Sequence, residues 1–198
     1  MPRTAPEMKA ALAQQAFELF AEKGVVNISI DDIAAAAGVT KGSFYHHYAN
    51  KDEVILAAAR CYYQYYQQRI FKIMSEESDP SVRLKRVLHD AVRGCIIDPR
   101  NRRFTIELFS LSLSNAEIRE SWAMFLASVR QTYIGLMQSA CASGEMNISN
   151  ITAIVDVMLA TMEGIKLRSV YQPQIADEQF QDKIYNDLYS VLFPATKE

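Results

Sequence analysis

An all-α fold is predicted by three observations. Apolar residues recur at three-to-four spacing through nearly the whole chain, and most of the six prolines and seven glycines fall between those stretches. The only β-branched cluster, residues 25–30, has no alternating partner segment with which to build a sheet.

The first predicted helix carries Leu12, Ala16, Leu19 and Phe20 on one side and stops at Gly24, with Lys23 as a favourable C-terminal cation. Ser29 and Asp32 form an S-x-x-D capping signal for a second, two-turn helix ending at Ala37 before Gly38. Thr40 caps a third short helix over 41–48, and Asn50 with Glu53 reads as a capping box opening the fourth. From there Ile55, Ala58, Ala59, Tyr62, Tyr66, Ile70 and Ile73 hold a stripe of more than five turns, which ends in the polar stretch 75–80. Further helices are predicted over 81–98, 103–112, 116–143, 149–171 and 176–193, about nine in all. The expected division is a small amino-terminal domain over 6–66 and a larger carboxyl-terminal domain over 67–198.

Composition narrows the function. With 49% apolar residues the chain can bury a continuous core, and with a net charge of −2 it is not a general polyanion binder, so any nucleic-acid contact is local. Cys61, Cys95 and Cys141 are widely spaced, odd in number and never C-x-x-C, which argues against disulfides or a zinc cage and for inert packing in a reducing cytoplasm. Neither a membrane span nor a secretory leader is legible. No metal site and no cofactor are expected: His46 and His47 diverge by about 100° on a helix and have no ligand four residues on.

The informative stretch is 29–48. Two short helices joined through Gly38, with Val39 in the corner, have the form of a helix-turn-helix whose second helix fits a major groove. Phe44, His47 and Tyr48 gather on one side of that helix, to pack; Gly42, Ser43, Tyr45 and His46 gather on the other, to face out. A glycine inside a helix costs about 1 kcal/mol relative to alanine, which makes sense at Gly42 if another backbone must come very close. Ser29, Thr40 and Lys51 sit at or beside helix N-termini that favour a phosphate, and Lys41 adds a cation.

The runs Ala16-Phe-Glu-Leu-Phe-Ala-Glu-Lys-Gly24, Ile30-Asp-Asp-Ile-Ala, Ala37-Gly-Val-Thr-Lys-Gly-Ser-Phe-Tyr-His-His-Tyr48 and Asn50-Lys-Asp-Glu closely resemble the DNA-binding domain of the tetracycline-repressor (TetR) family, in one register over about 8–60. The resemblance implies that Ser29, Thr40, Tyr45, His46 and Lys51 mainly hold phosphates. It places Gly42 and Ser43 nearest base edges, with Lys41 able to reach either. It implies an all-α carboxyl-terminal domain that binds a small-molecule effector and forms a homodimer through its last two helices.

The resemblance also implies a pocket among helices four to eight, which makes Tyr62, Tyr66, Phe109, Trp122 and Phe125 the candidate ligand-pocket residues, although aromatic residues at helical spacing are more often core. Glu107, Glu163 and Arg168 are candidate anchors, although solvation or salt bridging explains each of them better. Ile154, Met158, Phe180, Ile184 and Leu188 mark the stripes of an antiparallel helix pair that a twofold copy would complete into a four-helix bundle.

The function expected is a repressor on palindromic double-stranded operator DNA, released by an effector. Alternatives are a ligand-independent DNA-binding protein, an activator, or an enzyme with a helical active site. The chain lacks G-x-G-x-x-G, P-loop, H-E-x-x-H and G-x-S-x-G motifs, and no enzymatic role is expected.

Overall fold

The computed structural model describes residues 4–144 and 146–193. Nine α-helices are present among them and no strand: α1 (Ala5–Lys23), α2 (Ile30–Ala37), α3 (Lys41–Tyr45), α4 (Lys51–Glu76), α5 (Pro80–Ala91), α6 (Pro99–Ser112), α7 (Ala116–Ala142), α8 (Ile151–Arg168) and α9 (Gln181–Leu192). None of these helices is long and apolar enough to cross a membrane. The chain forms two compact units, one of residues Met1–Gln68 with Arg103–Trp122, the other of Arg69–Arg102 with Ala123–Glu198.

The first unit is built on the small helices. Thr4 and Glu7 form a capping box that starts α1, and Ser29 with Asp32 forms the one predicted for α2. Leu12, Ala16, Phe20, Ile33, Phe44 and Val54 are fully buried together with Phe104 of α6. The Phe104 ring lies edge-on to Phe17 at 5.2 Å and stacks on Phe20 at 6.5 Å. Two α6 side chains also hold the loop after α1: Glu107 accepts the Val25 N–H at 2.5 Å, and the Arg103 guanidinium donates to the Glu22 carbonyl. Gly24, at φ 89°, is needed twice over, because a Cβ there would also lie 2.6 Å from a Glu107 carboxylate oxygen.

The second unit has its own core in Leu84, Leu88, Ile96, Met137, Val155 and Met158. A bidentate pair from Arg130 to Asp156, at 2.6 and 3.0 Å, ties α7 to α8.

Several predicted boundaries are corrected. The helix expected over 81–98 ends at Ala91, and Val92–Ile97 widens into a π-helical turn in which the Asp98 N–H donates to the Arg93 carbonyl at 2.8 Å. The helix expected over 103–112 starts four residues earlier, as α6: Asp98 caps the N–H groups of Arg100 and Asn101, and Pro99 occupies the first helical position. The last helix starts at Gln181 rather than 176, because Pro173–Ala176 and Glu178–Phe180 form 3₁₀ turns instead. The third helix stops at Tyr45, three residues early, where His46 and His47 turn toward the start of α4.

Candidate nucleic-acid interface

Gly38 makes the turn between α2 and α3. Its φ of 72° and ψ of 32° lie in the left-handed region, and the N–H of Val39 closes the corner on the Ala34 carbonyl at 2.9 Å. Thr40 then caps α3 by accepting the Ser43 N–H at 3.2 Å.

The two faces of α3 separate as expected at Phe44 and Tyr48 and at Gly42, Tyr45 and His46, but not at Ser43 and His47. Phe44 is 0% and Tyr48 4% exposed, whereas Thr40, Lys41, Gly42, Tyr45 and His46 are exposed and Ser43 and His47 are half-buried. The buried side is fixed from below: the Tyr48 hydroxyl donates to the Lys9 carbonyl at 2.9 Å, and burial pushes its pKa up to about 12. The Phe44 ring meets Tyr45 edge-on at 5.6 Å and Tyr48 at 5.7 Å, which leaves the Tyr45 ring standing outward from a rigid base.

Gly42 is not required by the fold. A Cβ built there meets only the Thr40 hydroxyl oxygen, at 3.8 Å, and the residue is an ordinary helical one. Neither packing inside the chain nor a positive φ accounts for the missing side chain.

The predicted cations are not equally available. The Lys41 ammonium bonds the Asp31 carboxylate at 2.8 Å, and this hydrogen bond raises its pKa. Sequence reasoning missed that pair because Asp31 and Lys41 lie ten positions apart on different helices. Lys51 donates to the Val25 carbonyl at 2.6 Å and lies over the Phe20 ring, so its stem is held against α1 while the ammonium keeps further protons to give. Ser29 is engaged as well: its hydroxyl accepts the Asp32 N–H at 3.1 Å and donates to the Asp32 carboxylate at 2.6 Å, and that last bond, with one from the Ser29 N–H at 2.8 Å, holds the Asp32 pKa down. At the mouth of α4 the Asn50 side chain accepts the Glu53 N–H at 2.9 Å, and Glu53 reaches back to the Ala49 N–H at 2.9 Å.

The remaining candidates sit elsewhere. Tyr62, Tyr66, Trp122 and Phe125 are buried, whereas Phe109 is 40% exposed. Tyr62 packs on Phe17 and Phe104, and Trp122 on Tyr63, as core aromatics do. Tyr63 also accepts a hydrogen bond from Ser121 at 3.4 Å. Of the candidate anchors, Glu107 holds Val25, Glu163 pairs with the buried Lys166 at 2.7 Å, and Arg168 donates to Gln172. The grip of α6 on the loop after α1 was not legible, because the residues lie 82 positions apart.

Along α8 and α9 runs an apolar groove of about 530 Å³, lined by Ile165, Ile175, Phe180, Ile184, Leu188 and Val191. Of the residues expected to pair two copies, Met158 and Leu188 are buried within the chain, and Ile154, Phe180 and Ile184 are half-buried. Val157, Val170, Tyr171 and Val191 are exposed on the same two helices and the turn after α8.

Two short helices hinged at a left-handed glycine, the second with a packed inner side and an exposed outer one, define a helix-turn-helix, which a helical second unit accompanies. The profile of bacterial regulatory proteins of the tetR family matches residues 12–58. No curated protein sequence matches the chain. Among solved structures it is similar to a TetR transcription regulator from Haloarcula marismortui (16% identity, TM-score 0.82, covering 96% of this chain and 98% of that one). It is also similar to a protein from Saccharomonospora viridis described as a transcriptional regulator, in complex with choline (17%, TM-score 0.82, 93% and 96%). A third likeness is to the transcriptional regulator FadR from Bacillus subtilis in complex with stearoyl-CoA (20%, TM-score 0.74, 94% and 98%). The tetR-family profile thus covers the helix-turn-helix segment at 12–58, and the chain shares its fold with these regulators over more than nine-tenths of its length.

Proposed function

We propose that the chain is a homodimeric repressor that holds a palindromic operator through two copies of α3 and leaves it when a small molecule occupies the carboxyl-terminal domain. The observation that carries the reading is Gly42: an exposed helical glycine that the fold does not need, flanked by Thr40, Lys41, Ser43, Tyr45 and His46. A backbone free of side chain lets α3 enter a groove about 12 Å wide, where Gly42 and Ser43 meet base edges and the others grip phosphates. Thr40 keeps its hydroxyl proton for this, since the bond to Ser43 uses only its oxygen. Ser29 and Lys51 contribute from the N-termini of α2 and α4.

One short helix reads only a few base pairs, so useful affinity needs two heads on half-sites about one or more turns apart. The α8–α9 groove supports dimerisation, because an apolar face of that kind is covered when a twofold copy completes a four-helix bundle. Residues 6–66 would read DNA, with α6 bracing them, and 67–198 would dimerise and take the effector. The choline and stearoyl-CoA of two structural neighbours support an effector of small-molecule kind. Tyr62, Tyr66, Phe109, Trp122 and Phe125 are the aromatic residues proposed to meet it. Because α4 and α7 each run through both units, a ligand that favours one arrangement of the dimer shifts the spacing of the heads; a coupling of about 1–3 kcal/mol lowers operator affinity roughly 5- to 150-fold.

Selection of bound duplexes from a random pool tests the reading. An inverted repeat is expected, and Tyr45→Ala or His46→Ala weakens its binding while the dimer persists in sedimentation. Recovery of no common sequence, or an unchanged affinity in both variants, rejects it.

A further inference from the structure

We propose that the second unit carries a separate anion site, a cleft between the end of α4 and the α5–π segment that takes a small molecule bearing two or more linked phosphates. This is independent of the DNA-binding reading. The cleft encloses about 570 Å³, and its walls carry Arg69, Lys72, Lys85, Arg86 and Arg93 against only Glu76 and Asp90. So local an excess of positive charge stands out in a chain of net charge −2.

The internal ion pairs do not consume these charges. Glu76 is shared, lying 3.1 Å from Arg86 and 3.9 Å from Lys72. Asp90 takes Arg69 alone, at 2.6 Å. Glu77, outside the cleft, reaches Arg86 only at 3.8 Å. Lys85 sits over the Tyr189 ring at 5.9 Å, and neither Lys85 nor Arg93 has a carboxylate partner among the described residues.

The backbone is shaped around one of the guanidiniums. Arg69 also donates to the Asp90 carbonyl at 3.1 Å and lies so close over Gly94 that a Cβ there would be 2.2 Å from its Nη1. Gly94 falls within the π-helical turn Val92–Ile97, and such turns recur at functional sites. The result is a half-buried, pre-oriented guanidinium beside exposed cations. Arg69 and Lys72 on one wall and Lys85, Arg86 and Arg93 on the other are more cations than one phosphate can pair with, and a pyrophosphoryl group offers both walls the oxygens that the forked donors of arginine match.

The test uses the full-length protein and inorganic pyrophosphate as the probe, followed by calorimetric titration and thermal melting at constant ionic strength. Saturable binding with a raised melting temperature is expected, weaker with orthophosphate. Replacing both Lys85→Gln and Arg93→Gln should lower the affinity at least ~10-fold with unchanged helicity and unchanged operator binding. Gly94→Ala, which displaces Arg69, should lower it independently should the double variant fold poorly. A response that sodium chloride of equal ionic strength reproduces, or equal affinity in wild type and both variants, overturns the proposal. So does a double variant that loses non-specific duplex DNA binding but keeps pyrophosphate, since the cleft is then a nucleic-acid surface.

Discussion

Gly42→Ala should move stability and DNA affinity in opposite directions. In the free protein the new methyl finds open space, its nearest neighbour being the Thr40 hydroxyl oxygen at 3.8 Å, and the helix φ is ordinary. Alanine is then better than glycine by up to about 1 kcal/mol, because less backbone freedom is lost on folding. In a chain of this length that raises the melting temperature by about 2–4 °C. On DNA the methyl occupies the place kept clear for the groove edge, and overpacking of a close contact costs about 1–3 kcal/mol. Each head therefore loses roughly 5- to 150-fold, and a dimer bears the loss twice. Thermal melting and fluorescence anisotropy on a selected duplex measure the two effects on one preparation. A variant that melts lower than wild type, or binds as tightly, refutes the account of Gly42.

Asp31→Asn releases Lys41 from its exposed partner, and operator affinity should rise a few-fold, with the salt dependence steeper by about one phosphate contact per head; an unchanged slope means Lys41 makes no phosphate contact. Glu107→Ala strips the Val25 N–H of its acceptor and should lower stability by about 1–3 kcal/mol, with faster hydrogen exchange at Val25; exchange as slow as wild type denies the brace. Tyr48 is protonated in the fold to about 12 against an ordinary 10.0, so it stabilises the fold fully below pH 10 and this is lost as pH rises through 12. Tyr48→Phe should flatten that alkaline step, and a step of unchanged size in an alkaline melting series assigns it to another group. Ile184→Asp puts a charge into the α8–α9 groove and should leave a folded monomer; an intact dimer by sedimentation rules this seam out.

The local grammar of the first unit was legible because it is written in neighbours: Ser29 with Asp32, Gly38 at a left-handed turn, Thr40 before α3, and Phe44 with Tyr48 on one side of a helix. What the sequence concealed is mostly distant. Nothing at Glu107 or Arg103 marks them as partners of a loop more than eighty residues earlier, and nothing at Arg69 points to Gly94. The π-helical turn was invisible for a different reason, since the apolar period continues through Val92, Ile96 and Ile97 while the hydrogen-bond ladder changes its step. By contrast, the start of α6 was written in Asp98-Pro99, a cap followed by the residue best suited to the first helical position. The charge excess between α4 and α5 needs both helices in view, because each alone reads as a solvated face.

The most direct measurement is methylation interference on the selected duplex, which asks on which side of the base pairs α3 lies. Modifying guanine N7, on the major-groove edge, should block binding at two symmetric clusters, one per half-site, whereas adenine N3 on the other edge should be silent there. Protein that tolerates every major-groove methyl and is stopped only from the minor groove would contradict the docking of α3.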